Sequence, residues 1–294
     1  MDYTSNSDKI TRDFFDSLLL EPRYIDSDLP STKLELYGRT FDTPVMTAAL
    51  SHLGNTAENG MVIYAQAAAK VNTVHWVGMG EDKELEDITA TGAATIKIIK
   101  PHADNKEVFR KIEHAKKAGC FAVGMDIDHA FNGNGGYDNV LGLPMKPKTV
   151  EELYDFVQAA EIPFIVKGIL STKDAEKCLK AGCKGIQLSH HHGIMSYAVP
   201  PLMMLPEILQ VTRGEIPVFI DCGIESGMDV YKCLALGASA VSVGRHLMPL
   251  LKEGADKTAG RIKEMTGELA ATMARTGVKD LNSFDPTVIH KRSF

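Results

Sequence analysis

The sequence predicts a closed (β/α)8 barrel, and three observations carry that expectation. Short apolar runs rich in β-branched residues recur eight times, and each is followed by a run with helical spacing of its apolar residues. Strands of continuous apolar character alternating with helices belong to a parallel sheet covered on its faces by helices. Eight such units over about 200 residues suit a closed barrel better than an open doubly wound sheet, which periodicity alone leaves as the alternative.

The strands follow in order: PVMTAAL at 44–50, TVHWVG at 73–78, ATIKIIK at 94–100, FAVGMDID at 121–128, PFIVKG at 163–168, GIQLSH at 185–190, PVFIDCG at 217–223 and AVSVGR at 240–245. Between them, EVFRKIEHAKKAG (107–119) and TKDAEKCLKAG (172–182) read as helices that close on an Ala-Gly pair, and GMDVYKCLALGA (227–238) follows the same logic. Glycine there suits the left-handed C-terminal position. The chain is expected to be one domain: an N-terminal extension over 1–43, a barrel over 44–250, and a C-terminal helix and tail over 251–294. The last helix is expected at 255–275, and the terminal KRSF is expected to be mobile. The Met-rich PPLMMLPEI (200–208) reads as core packing of the helix after strand six.

Composition bounds the function. The chain has 294 residues, 44% hydrophobic and 24% charged, which is ample for a core. A net charge of −6 offers no bulk attraction for nucleic acid. Neither a secretion signal nor a stretch long enough for a membrane span is evident. Five cysteines at 120, 178, 183, 222 and 233 read as free thiols of a reducing compartment, so the expected location is cytoplasmic.

In a parallel barrel the residues that end the strands converge on one mouth, and polar groups there carry the chemistry. Those groups are Ser51 and His52, Lys97, Asp126 and Asp128, Lys167, Ser189 to His192, Asp221, and Gly244 with Arg245. Lys167 stands inside FIVKG, where a buried ammonium needs a reason. It is either a structural ion pair with Asp128 or Asp221, a cation aimed at an anion, or a Schiff-base lysine. The glycine turns IDCGIESG and SVGR end the last two strands, the usual phosphate position in such barrels, and Arg245 adds a cation. In SHHHG (189–193), consecutive residues of an extended segment would alternate sides, so the three histidines do not converge on one ion. One functional histidine is expected, and no metal.

The segment from PFIVKG through LSHHHG to VFIDCGIESG and SVGR resembles the FMN-dependent α-hydroxy acid dehydrogenases and oxidases, such as glycolate and lactate oxidases. The likeness is dense from 163 to 248 and fainter from 10 to 130. It implies FMN as cofactor, a small-molecule substrate and a tetramer or octamer. Lys167 matches the lysine beside the flavin ring, where a cation stabilises the reduced anion. Ala48, Ala49, Leu50 and Ser51 match the strand whose backbone lies on the ring. Ser189, Asp221, Gly223, Gly244 and Arg245 match ribityl and phosphate contacts, and Lys97 stands at a flavin-facing position. His191 matches the active-site base.

The departures concern the substrate. The family's arginine after the histidine is replaced in the run His192, Gly193, Ile194, and a second arginine after strand four has no counterpart in DHAFNGNGGYDN. Lys97 and Ile99 replace a Gln and a Tyr, Asp126 replaces a Thr, and Glu225 replaces a phosphate-side arginine. Asp126, His192 and Ile194 are left as candidate substrate contacts; the charges of Lys97 and Asp126 either serve a different substrate or the flavin, or pair with each other across adjacent strands. The resemblance therefore implies an FMN-dependent oxidoreductase with a rebuilt substrate site. The alternatives are a flavin-dependent isomerase similar to type 2 isopentenyl diphosphate isomerase, or a non-redox phosphate barrel using Lys167.

Overall fold

The computed structural model describes residues 5–293. Eight parallel strands close into a barrel: β1 (Val45–Leu50), β2 (Val74–Val77), β3 (Ala94–Ile99), β4 (Ala122–Asp126), β5 (Phe164–Ile169), β6 (Gly185–Leu188), β7 (Val218–Ile220) and β8 (Ala240–Val243). Closure is set by β8 pairing with β1, Val241 opposite Val45. All eight are the runs read from the sequence.

The helices are α1 (Asn6–Asp16), α2 (Gly60–Lys70), α3 (Asp82–Thr89), α4 (Asn105–Lys117), α5 (Val150–Ala160), α6 (Thr172–Lys180), α7 (Pro201–Thr212), α8 (Gly227–Ala235) and α9 (Ala255–Arg275). The starts of α1, α4, α5, α6 and α8 are capped by the short polar side chains of Ser5, Asp104, Thr149, Ser171 and Ser226. Thr149 and Glu152 form a reciprocal capping box on α5, and Ser226 with Asp229 does the same on α8. In α7, Leu202, Leu205 and Ile208 are buried, while Met203 is exposed. Among the described residues, no helix is long and apolar enough to cross a membrane.

Strand alternation separates two cores. Trp76, Ile96, Ile98, Ile165 and Phe219 fill the barrel, with Trp76 and Phe219 edge-to-face at 5.4 Å. The hairpin Leu34–Leu36/Arg39–Phe41 plugs one end of this inner core with Leu34, Leu36 and Phe41. The other face of each strand packs on the helices, as Val77 and Val123 do. Register places Lys97 beside Val77 and Val123, on that helix-facing side.

The termini wrap the barrel. Leu18–Leu20 pairs antiparallel with Ile289–Lys291, and the Arg292 amide donates to the Ser17 carbonyl at 2.7 Å. The expectation of a mobile KRSF tail is thus corrected for Lys291 and Arg292, which the strand fixes; Phe294 lies outside the described residues. Helix α1 lies across the loops after β6, β7 and β8. Thr11 Oγ1 is 2.8 Å from His190 Nε2, and Arg12 donates to the Gly223 carbonyl at 3.0 Å and to Asp229 at 2.9 Å.

Barrel closure allows no side chain at position 124. A Cβ there would lie 2.2 Å from the Ile165 carbonyl of the neighbouring strand. Gly124→Ala is expected to destabilise the fold by about 2–3 kcal/mol, the cost of overpacking a closed core. Urea unfolding reads this directly; a loss under about 0.5 kcal/mol, the range of a neutral surface change, would show that the strands give way freely.

Candidate active site at the barrel mouth

Lys167 on β5 organises the mouth. Its ammonium, 3% exposed, lies 3.4 Å from Asp126 Oδ1 on β4 and 3.5 Å from Asp221 Oδ2 after β7, and it donates to Ser189 Oγ at 3.0 Å. Burial alone would lower its pKa, but Asp126, Asp221 and Asp128 outweigh that and hold it above the ordinary lysine range. The cation is therefore permanent. This corrects the ion-pair partners expected from sequence: Asp126 joins Asp221 in contact, and Asp128 acts at longer range.

Asp126 has a second cation. Lys100, just past β3, donates to its Oδ2 at 2.7 Å. The Lys97–Asp126 pair is not formed; Lys97 donates to the Gly78 carbonyl on the helix side of the sheet. The physical reason is strand parity: Ile96 and Ile98 face the barrel, so Lys100 continues that face and Lys97 cannot. Buried away from a carboxylate, Lys97 is pushed down to about 8 by desolvation and by Lys111. Against burial, Lys167, His191 and Lys100 hold Asp126 well below the usual carboxylate range.

The three histidines diverge, each to a different partner. His191 and His192 have φ of 48° and 60°, a tight left-handed turn rather than the extended segment expected. His190 points to α1 through Thr11, and its Nδ1 accepts from the Gly193 amide at 3.0 Å. His192 lies between Asp8 of α1 and Arg245, with Nε2 2.9 Å from the guanidinium. His191 enters the mouth. Its Nδ1 is 3.3 Å from Asp126 and 3.2 Å from Asp128, and its Nε2 is 3.1 Å from His129 Nε2. Burial would lower its pKa, but Asp126 and the hydrogen bonds to both carboxylates raise it to about 8, against Lys167. His129 in turn lies 3.3 Å from Asp138. Two imidazoles meeting nitrogen to nitrogen share one proton between them, so the protonation of His129, with Asp138 behind it, is tied to that of His191.

Asp126, Asp128, His129 and His191 bring ligand-type atoms within 4.8 Å of one another. Two ammonium groups already stand within 3.5 Å of Asp126, so the charge of that carboxylate is balanced by the chain itself.

Beside the cluster opens a cavity of about 760 Å³, its open mouth included. It is lined by Ala48, Ala49 and Leu50 from β1, by Lys167 and His191, and by Gly223, Gly244 and Arg245 from the loops after β7 and β8. Asp221 and His192 also line it. A Cβ on Gly244 would meet Ala48 and Leu50 at 3.1 and 3.3 Å, so a side chain there would press on that wall. Glu225 is among the lining residues too. Ser189 is spent on Lys167 and on the His191 amide at 3.1 Å. Ser51 accepts from the Met79 amide at 2.7 Å in the turn after β1. Ile194 is 42% exposed and absent from the cavity wall. Lys97, Ser51, Ile194, Asp126 and Ser189 are thus the expected site residues that do not line the cavity, although Asp126 and Ser189 stand behind its wall in contact with Lys167. The groups that sequence reasoning passed over are Lys100, His129 and Asp8. Parity marks the first, and the Gly/Asn-rich loop after β4 could have flagged the second. Asp8 is 237 residues from its partner Arg245 and left no local signal.

A family model described as FMN-dependent dehydrogenase matches residues 3–159 and 145–291. The chain is 26% identical to a 2-hydroxyacid oxidase of Dictyostelium discoideum, over 98% of this chain and 84% of that protein. It is 27% identical to a 4-hydroxymandelate oxidase of Amycolatopsis orientalis, over 86% and 81%. Among solved structures, mandelate oxidase with 3,3-difluoro-2-hydroxy-3-phenylpropionic acid superposes with a TM-score of 0.90 at 26% identity, covering 99% of this chain and 92% of that one.

Removing the Asp126 charge should drop the His191 pKa, because the carboxylate is what raises it. In Asp126→Asn the imidazole is expected to titrate well below the value of about 8 found with the carboxylate in place. NMR of the ring nitrogens reads this; an unchanged midpoint would show that Asp126 does not set the protonation of His191.

Proposed function

The chain belongs to the FMN-dependent dehydrogenase family, and from that premise we propose that the mouth oxidises a small hydroxylated substrate, with His191 as the proton acceptor. The chain is an FMN-dependent oxidoreductase related to the 2-hydroxy acid oxidases. The observation that carries the proposed role is His191 itself: a turn aims it into the mouth, carboxylates on Nδ1 fix its tautomer, and it borders the cavity.

The cavity residues fit a flavin. Ala48 and Ala49 present small side chains to the cavity, and Gly244 leaves backbone bare where a Cβ would press on Ala48 and Leu50. Lys167 supplies a permanent cation, and Arg245 a second, near the loops where such barrels hold phosphate. When bound, FMN supplies a two-electron acceptor. Lys167 favours negative charge developing beside it. His191 would take up the substrate proton with its Nδ1 facing Asp128 and Asp126, whose charges stabilise the imidazolium.

The substrate differs from a plain 2-hydroxy acid in what can hold it. The arginine lining the cavity, Arg245, is tied to Asp8, and both lysines of the mouth are committed to Asp126. A bidentate carboxylate clamp is therefore lacking at the site, and a substrate recognised through hydroxyls by Asp128, His129 and His191 fits better. The Schiff-base reading of Lys167 loses its footing, since a lysine held protonated by carboxylates is not a nucleophile. The same reading places the chain in the cytoplasm, supported by five free cysteines, and takes a homo-oligomer as its form, as the family likeness suggests.

The test is anaerobic bleaching of the flavin by a panel of hydroxylated donors. His191→Ala should retain flavin and slow bleaching by the best donor at least about a hundredfold, the weight of a general base. Full-rate bleaching by that variant would remove His191 from the chemistry. The wild-type rate should rise with pH through about 8, because a proton acceptor works only when neutral and His191 is protonated below that value. A rate falling across that range would contradict the assignment.

A further inference from the structure

The phosphate end of the cavity already holds an anion of the chain's own. Asp8, 4% exposed on α1, accepts from Arg245 at 3.0 and 3.4 Å through its two oxygens. It also pairs with His192 Nδ1, and His192 Nε2 closes the triangle on Arg245 at 2.9 Å. The helix is committed to this position by other contacts. Ser7 donates to the Met195 carbonyl at 2.9 Å, and Arg12 binds Gly223 and Asp229. A second carboxylate, Glu225, lines the same cavity.

We propose that Asp8 is a resident occupant of the anion subsite made by Arg245 and His192, and that it makes this chain discriminate only weakly between FMN and unphosphorylated riboflavin. The inference rests on the FMN reading and specifies it. A phosphate that recruits Arg245 must either displace Asp8, breaking a guanidinium pair whose carboxylate is buried, or bind beside it as a like charge. Both costs subtract from what the phosphate contributes. Riboflavin has no phosphate and meets neither cost. Asp8 is thus a specificity determinant for the class of flavin, acting through Arg245.

The experiment titrates the flavin-free full chain with FMN and with riboflavin, following quenching of flavin fluorescence. In wild type the two Kd values should lie within about a hundredfold, far closer than a free charged clamp would set them. Asp8→Asn should tighten FMN about tenfold or more and leave riboflavin within about twofold, since charge-assisted hydrogen bonds are worth roughly a factor of ten or more each. Glu225→Gln, which leaves α1 untouched, should shift the ratio in the same direction. Three results would overturn the proposal: weaker FMN binding in Asp8→Asn, equal changes for both flavins, or a ratio that neither variant moves. If no protein binds either flavin, the FMN reading itself fails, which is a different outcome from flavin bound with an unmoved ratio.

Discussion

The buried ammonium of Lys167 is the constraint from which the rest of the mouth follows. An unpaired charge inside a barrel is not tolerated, so carboxylates must come from the neighbouring strand ends, Asp126 beside it and Asp221 across it. Asp126 in turn needs more than one donor, and Lys100 and His191 supply them. Removing one partner of such a pair costs about 3–5 kcal/mol, because it strands the other. The network therefore fixes several strand ends and one catalytic-type imidazole in a single arrangement. Function follows from that rigidity: a cation of constant charge lies beside the cavity, and an imidazole of raised pKa lies beside the cation.

The second constraint comes from outside the barrel. Helix α1 closes over the loops after β6, β7 and β8 through Thr11, Arg12 and Asp8. Two of the three consecutive histidines answer to this helix, and the third answers to the barrel. The left-handed turn at His191 and His192 makes this division possible, because each ring leaves the backbone in its own direction. The triplet thus joins the N-terminal helix to the mouth.

Much of this was legible in the sequence. All eight strands could be read because a strand buried on both faces is apolar throughout, and the barrel follows from their count. Lys167, His191, Asp221 and Arg245 stood out as polar residues where apolar ones belong. What failed was parity and distance. A register error of one residue moves a side chain from the mouth to the helix layer, which is why Lys97 drew attention and Lys100 did not. Ile194 was placed by its position after the histidines, yet the turn there carries it to the surface. Asp8 and His129 reach the site only through tertiary packing, and no local pattern announces a partner more than sixty residues away.

The central claim is that the cavity between the ends of β1, β5 and β8 holds a flavin above a fixed cation. Its most direct test is a visible difference-absorption titration of the purified chain with FMN, with any co-purified chromophore released and weighed. The account predicts a saturable, one-to-one perturbation of the flavin bands, abolished or strongly weakened in Lys167→Met. A protein that perturbs no flavin spectrum, even with FMN in large excess, would contradict it.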